Sequence, residues 1–258
     1  YFVLLCSAML SVALRRSPLV RCAPLPVALR SFASLCSAVL GAAFRAPTSS
    51  NIQSYSVVVV RDPETLAKLA VVTSGQKHVA NAPVFLAFCA DLTRIDNAVR
   101  SNGGNIEGNN LETGLVSSVD AALVGMSAYL AADSLGMKGV MIGAVRNNAK
   151  ETAEILGMPR RVFCVFGMVL GWPDKVPPQK PRMAFDSVVH YEQYGKTKDG
   201  AELDPGVAAY DKALAAHYES IGVKTTPDSW SHDAAKKFIP EPRQNLRNEL
   251  AELGFDFL

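Results

Sequence analysis

Apolar residues along the chain fall into short runs separated by polar, glycine- or proline-bearing stretches, and most runs are bounded sharply enough to be assigned an element. Tyr55–Val60 is a continuous β-branched run and predicts a buried strand; Pro83–Cys89 predicts a second. Leu35–Arg45 reads as a helix that Ala46-Pro47 stops, because a residue before proline is driven out of the helical region. Pro63–Val72 is another helical segment. Between Leu111 and Leu135, the residues Leu115, Val116, Val119, Leu123, Met126 and Leu130 recur at three- and four-residue steps, and the remaining positions are mostly Ala, Ser and Gly. That pattern predicts a long central helix able to approach its neighbours closely, in a core or against a partner subunit, with Gly136 as its C-terminal cap. Further on come a strand at Gly139–Ile142, a helix at Lys150–Leu156, a strand at Phe163–Leu170, and helices across Pro205–Ser220 and Pro242–Leu253. Ser101–Asn110, rich in Gly and Asn, predicts a flexible loop of the kind that serves as a lid.

Strands alternate with helices in an irregular order and the ends read as helical, so the expected class is α+β, a central mixed β-sheet flanked by helices. Residues 34–258 form one domain in this reading, with a helical C-terminal excursion from about residue 183. A doubly wound parallel sheet is the alternative, but Gly136, Gly139 and Gly143 lack the GxGxxG spacing of a dinucleotide fingerprint.

Composition narrows the function classes. The 258 residues are 49% apolar, as in a globular protein with a large core. A net charge of +2, with no Lys/Arg run interleaved with aromatics, argues against nucleic acid as a partner. Cys6, Cys22, Cys36, Cys89 and Cys164 are odd in number and widely spaced, which supports neither a disulfide framework nor a zinc site and points to a reducing compartment such as the cytoplasm. Residues 1–33 differ from the rest: no Asp or Glu precedes Asp62, and arginines are scattered among Ser, Ala and Leu. This is transit-peptide composition, with an organelle matrix as the alternative location, or else a divergent segment in a chain that starts at Tyr1. The apolar stretch Phe2–Leu14 is too short to span a membrane.

Three segments carry candidate chemistry. Ala46-Pro47-Thr48-Ser49-Ser50-Asn51-Ile52-Gln53 is a turn filled with hydroxyl and amide groups between a helix and a strand, which suits a polar cofactor as well as it suits an ordinary loop. Ile142-Gly143-Ala144 ends a strand and enters a turn, where backbone N–H groups are free and a glycine lets a flat ring approach. Lys180-Pro181-Arg182 is stiffened by its proline, and alternate side chains of an extended segment share a side, so two cations can converge on an anion; a solvated basic turn is the plainer reading. Ser74-Gly75-Gln76-Lys77-His78 adds an amide and an imidazole after a helix end, although His78 alone reads as a surface or capping histidine. No Ser-His-Asp order, HExxH or P-loop is present, so hydrolase and kinase readings lack a site.

In this order, the polar turn, Gly139–Asn148 and Lys180-Pro181-Arg182 resemble the nitroreductase/flavin reductase family, specifically its oxygen-insensitive NADPH nitroreductase branch. The likeness runs from about Ala42 to Trp230 and includes GMVLGW at Gly167–Trp172 and the segment Tyr210–Tyr218. It implies a homodimer with flavin mononucleotide (FMN) at two interface sites and NADPH or NADH as donor. Nitroaromatics, quinones or free flavin then accept two electrons in a ping-pong cycle. It also implies that Lys180 and Arg182 meet the phosphate, that Ile142, Gly143, Ala144, Gln76 and Lys77 meet the ring region, and that His78 lies near incoming substrate. By the same resemblance Thr48, Ser49, Ser50 and Asn51 arrive from the partner subunit, and Gln53 also meets the cofactor.

Two departures stand out. Ala144 replaces a second glycine common in relatives, and the His-Arg-Ser-x-Arg element with which relatives begin is missing, leaving Arg16, Ser17 and Arg21 as stand-ins. The rival expectation is therefore a flavin-binding or interaction protein without turnover. NADPH-preferring relatives carry an arginine where Ile221 stands, with Lys224 the nearby cation here.

Overall fold

In the computed structural model, which describes residues 32–106, 111–255 and 257, four strands form one sheet: β1 (Tyr55–Val60), β2 (Val84–Asp91), β3 (Lys138–Ile142) and β4 (Val162–Gly171). Their order is β1-β2-β4-β3 and each pairing is antiparallel, so the parallel component of a mixed sheet is not found among the described residues. Helices cover both faces, as the α+β class requires. On one face Val84, Leu86 and Phe88 pack with residues of α1 (Phe32–Ala43) and α5 (Leu111–Ser134). On the other, Phe85, Ala87 and Cys89 lie with residues of α2 (Pro63–Val72), with Val79 of α3 (Lys77–Ala80), and with Val145.

β2 is buried at every position, because a strand covered on both faces must be apolar on both. β1 is not the buried strand that its β-branched run predicts. It lies at the sheet edge, where Val59 is 43% exposed and only Val60 is buried. Asp62 caps α2 by accepting from the Thr65 N–H at 2.9 Å, and Pro63 starts the helix where no N–H is needed.

α5 turns its small residues, not its large ones, to the sheet. Gly114, Ser117, Asp120, Ala121, Val124, Gly125, Ala128, Ala131 and Ala132 are buried, while Leu115, Val119, Leu123, Met126 and Leu130 are each at least 39% exposed. The approach is too close for anything bigger: a Cβ on Gly125 would stand 2.3 Å from the Phe166 ring. The helix is long and apolar enough to cross a bilayer, yet one face is occupied by the sheet. Gly136, at φ 82°, ends it in the left-handed region, with the Met137 N–H returning to the Ala132 carbonyl at 3.0 Å.

The remaining helices are α4 (Thr93–Ser101), α6 (Ala149–Ile155), α7 (Val207–Ser220), α8 (Ser229–Phe238) and α9 (Leu246–Glu252). α4 takes Ser101, so the expected lid loop is shorter than Ser101–Asn110, and its residues 107–110 lie outside those described. The C-terminal excursion comes back: Leu250 and Phe255 enter a core cluster with Phe163, and the Arg161 N–H donates to the Leu253 carbonyl at 2.7 Å.

Candidate functional site

The polar turn is built by a residue that sequence reasoning did not single out. Ser49–Asn51 is a kinked turn rather than a regular 3-10 helix, and Ser50, Asn51 and Gln53 all have positive φ (47°, 56° and 55°), a region that costs any residue with a Cβ. Asp120 of α5, fully buried, accepts the Ser49 N–H at 2.9 Å on Oδ1. Its Oδ2 accepts the Ser54 N–H at 3.1 Å and the Ser54 hydroxyl at 2.9 Å. The signal in the sequence is a lone acid on the small-residue face of an apolar helix, between Glu112 and Asp133. Gln53 donates to the Asn51 side chain at 3.3 Å.

Arg94 fastens the other side, donating to the Gln53 carbonyl at 3.1 Å, to that of Tyr55, and to Asp91 at 3.3 Å. Burial pushes the Asp91 carboxyl up, but donation from Ser56 and Thr93, with Arg94 beside it, outweighs this and holds it below the ordinary carboxylate value.

The second cluster joins two of the predicted segments. Ser74 and Gly75 take consecutive left-handed conformations at the end of α2, and Gln76 precedes α3 without using its side chain as a cap. Lys77 and His78 are exposed in the first turn of α3. The Asn147 side chain donates to Ser74 Oγ at 3.1 Å, and Asn147 Oδ1 accepts from Arg243 Nε at 3.0 Å. Arg243 also donates to the Gly143 carbonyl at 3.3 Å. Residues Gly143–Asn148 form a 3-10 turn after the buried Ile142, and the first N–H groups of such a turn, Gly143 and Ala144, have no carbonyl acceptor within it. Space beside Gly143 is open, for an added Cβ would meet only the Arg146 guanidinium, at 3.7 Å. Burial, then the nearby Arg243 cation, lowers the pKa of Arg146, which donates to the Val165 carbonyl. Arg243 is the second residue missed; it is far away in sequence and carries no motif.

Lys180 and Arg182 sit in a third cluster. Lys180 Nζ donates to the Tyr218 hydroxyl at 3.0 Å, 5.1 Å from that ring's centroid, while the Tyr210 hydroxyl donates to the Pro181 carbonyl at 3.2 Å. Arg182 folds onto the carbonyls of Lys180 and Pro181, at 3.2 and 3.1 Å. The two exposed cations thus have separate partners, and no described bond joins them to the Gly143 turn or to the polar turn. Ile221 closes α7, 40% exposed, and Lys224 borders an open hollow of about 910 Å³ with Lys212, Glu219 and Thr225. His78 borders a different hollow, of about 460 Å³, with Lys138 and Trp172. Arg16, Ser17 and Arg21 lie outside the described residues.

The described residues thus offer three separate groups of donors: two exposed cations, the Gly143 turn beside open space with the nearby Gln76 amide, and the left-handed polar turn. Taken singly, the cations suit an anion such as a phosphate, and the amides beside open space suit the polar edge of a flat ring. Residues 33–172 match the model of the nitroreductase family and residues 180–258 that of the nitroreductase family C-terminal domain. The oxygen-insensitive NADPH nitroreductase of Salmonella typhimurium is 35% identical over 84% of this chain and 87% of its own length. The NADPH-flavin oxidoreductase of Vibrio harveyi is 33% identical over 84% and 86%. Among solved structures, the V. harveyi NADPH:FMN oxidoreductase complexed with NAD+ superposes with a TM-score of 0.76 at 30% identity, covering 92% of this chain and 95% of that one. B. megaterium NfrA1 gives 0.80 at 29% identity, covering 87% and 91%.

Proposed function

Because the chain belongs to the nitroreductase family, we propose that it is an FMN-dependent NAD(P)H oxidoreductase that reduces nitroaromatics, quinones or free flavin. Bound FMN would supply the redox chemistry, taking electrons from NADPH or NADH and delivering them two at a time to the acceptor. The chain's own residues bind and orient. Lys180 and Arg182 neutralise the phosphate, exchanging their present partners, a phenol hydroxyl and two carbonyls, for a stronger charge-assisted contact. Gly143 and Ala144 N–H groups and Gln76 address the ring edge, with Ile142 beneath and Lys77 and His78 at the approach.

The assembly in this reading is a homodimer. The exposed apolar stripe of α5 meets its counterpart, and Thr48, Ser49, Ser50, Asn51 and Gln53 serve the partner's flavin. The cytoplasm is the compartment we assign, in keeping with Cys36, Cys89 and Cys164 as free thiols.

The observation that carries the reading is the open Gly143 turn, tied through Asn147 and Arg243 to the loop that presents Gln76. Purified protein should show flavin absorption in the visible, or retain it after incubation with FMN and removal of unbound flavin by desalting, and lose it on anaerobic addition of NADPH. Protein that emerges colourless from that desalting overturns the reading.

A further inference from the structure

We infer that Asp120 is the positioning residue of the flavin-contacting turn: from inside the core it sets the conformation in which Ser49, Ser50 and Asn51 are presented. This rests on the function proposed above and assigns a role to a residue that would not itself touch flavin. Three observations carry it. Asp120 is fully buried, yet it forms none of the described salt bridges. What compensates its desolvation is three donors, the Ser49 and Ser54 N–H groups and the Ser54 hydroxyl, all from the turn. Those donors bracket the residues with positive φ, Ser50, Asn51 and Gln53, so the carboxylate grips both ends of the segment whose backbone most needs holding.

The place of Asp120 on α5 adds a consequence. The same helix turns Leu115, Val119 and Leu123 outward on its opposite side, so one helix carries both the face proposed to meet the partner and the carboxylate that holds the turn proposed to serve the partner's flavin. Asn at this position has nearly the same shape but only one carbonyl oxygen, and its NH2 would confront the donors that Oδ1 or Oδ2 now accepts. The turn would lose its acceptor at one end, keep only a neutral hydrogen bond at the other, and relax toward ordinary φ values.

The test compares wild type and Asp120→Asn as flavin-free protein, well below the melting temperature of both, by FMN titration and by amide hydrogen exchange. The expected result is an FMN Kd raised about tenfold or more, with faster exchange confined to the amides of residues 49–54 before flavin is added. A folded Asp120→Asn variant with Kd within about twofold of wild type overturns the inference, and so does unchanged exchange in the turn. Should the variant fail to fold, Ser54→Ala removes one of the three bonds and should raise Kd about threefold; an unchanged Kd there likewise overturns it. Wild type that binds no FMN overturns the proposed function, and this inference with it, whereas wild type that binds while the variants bind equally well overturns this inference alone.

Discussion

The guanidinium of Arg243 rests on the carbonyl oxygen of Gly143 at 3.3 Å, so a residue near the C-terminus braces the turn whose amides face the proposed flavin ring. A second bond from the same side chain, to Asn147 at 3.0 Å, continues to Ser74 and hence to the loop carrying Gln76. Arg243→Ala should therefore loosen both elements at once. Because Arg243 is half-exposed, the stability lost should be modest, about 1 kcal/mol. FMN affinity should fall more noticeably, about fivefold, as one hydrogen bond's worth of ordering is lost. Calorimetry and FMN titration of the same preparations measure the two effects; unchanged affinity would show that the turn holds its shape without Arg243.

Much of this arrangement was legible in the sequence, and the gaps have physical causes. Tyr55–Val60 and Pro63–Val72 were bounded correctly because proline and a change of period mark their ends. Burial was less legible. A β-branched run does not reveal that its strand lies at an edge, and the Leu115–Leu130 stripe does not reveal that small residues, rather than the stripe, face the sheet. Short helices such as Lys77–Ala80 and Thr93–Ser101 carry too few apolar positions to show a period. The polar turn, the Gly143 turn and Lys180-Pro181-Arg182 stood out as local patterns. Asp120 and Arg243 act across long sequence separations, where no local pattern exists to find.

The outward stripe of α5 predicts a dimer sensitive to charge. Val119, 54% exposed, and Leu123, 39% exposed, stand one turn apart on an apolar face that water would otherwise have to wet. Replacing both with Asp should weaken self-association at least a hundredfold, about 2.7 kcal/mol, since buried carboxylates facing their own copies across a two-fold axis lack counterions. Light scattering at micromolar concentration should give twice the chain mass for wild type and the single mass for Val119→Asp/Leu123→Asp. Wild type that is already monomeric would refute the interface.

Asp91 makes stability depend on acid. Its carboxyl is held below the ordinary value, chiefly against the opposing effect of burial, by Ser56, Thr93 and Arg94. A group whose folded pKa is depressed contributes stability above its unfolded pKa, about 3.9, and that contribution disappears as pH falls through the folded value. At neutral pH, Asp91→Asn should cost about 1.5–3 kcal/mol, since bonds to a charged acceptor are lost, and lower Tm by about 2–4 °C per kcal/mol. The gap in Tm between wild type and variant should narrow as pH drops below about 4. A constant gap from pH 7 to pH 3 would mean that Asp91 acts through shape rather than charge.

We propose that the choice of nicotinamide turns on the end of α7. Ile221 closes that helix, and Lys224 lies three residues further, on the rim of the hollow shared with Lys212 and Thr225. A planar guanidinium clamps a phosphate in two bonds, whereas an ammonium on a flexible stem offers a point charge, and the loss of such a contact is worth about 1.5–3 kcal/mol, or about ten- to hundredfold. With isoleucine where the resemblance implies an arginine, we propose that the protein uses NADH and NADPH with kcat/KM values within about tenfold of each other. Ile221→Arg should then raise the NADPH preference about tenfold, and Lys224→Ala should lower it. The measurement is kcat/KM for both donors against one quinone acceptor. A native NADPH preference above about a hundredfold that survives Lys224→Ala would show that the 2′-phosphate is read elsewhere, by cations outside this end of α7.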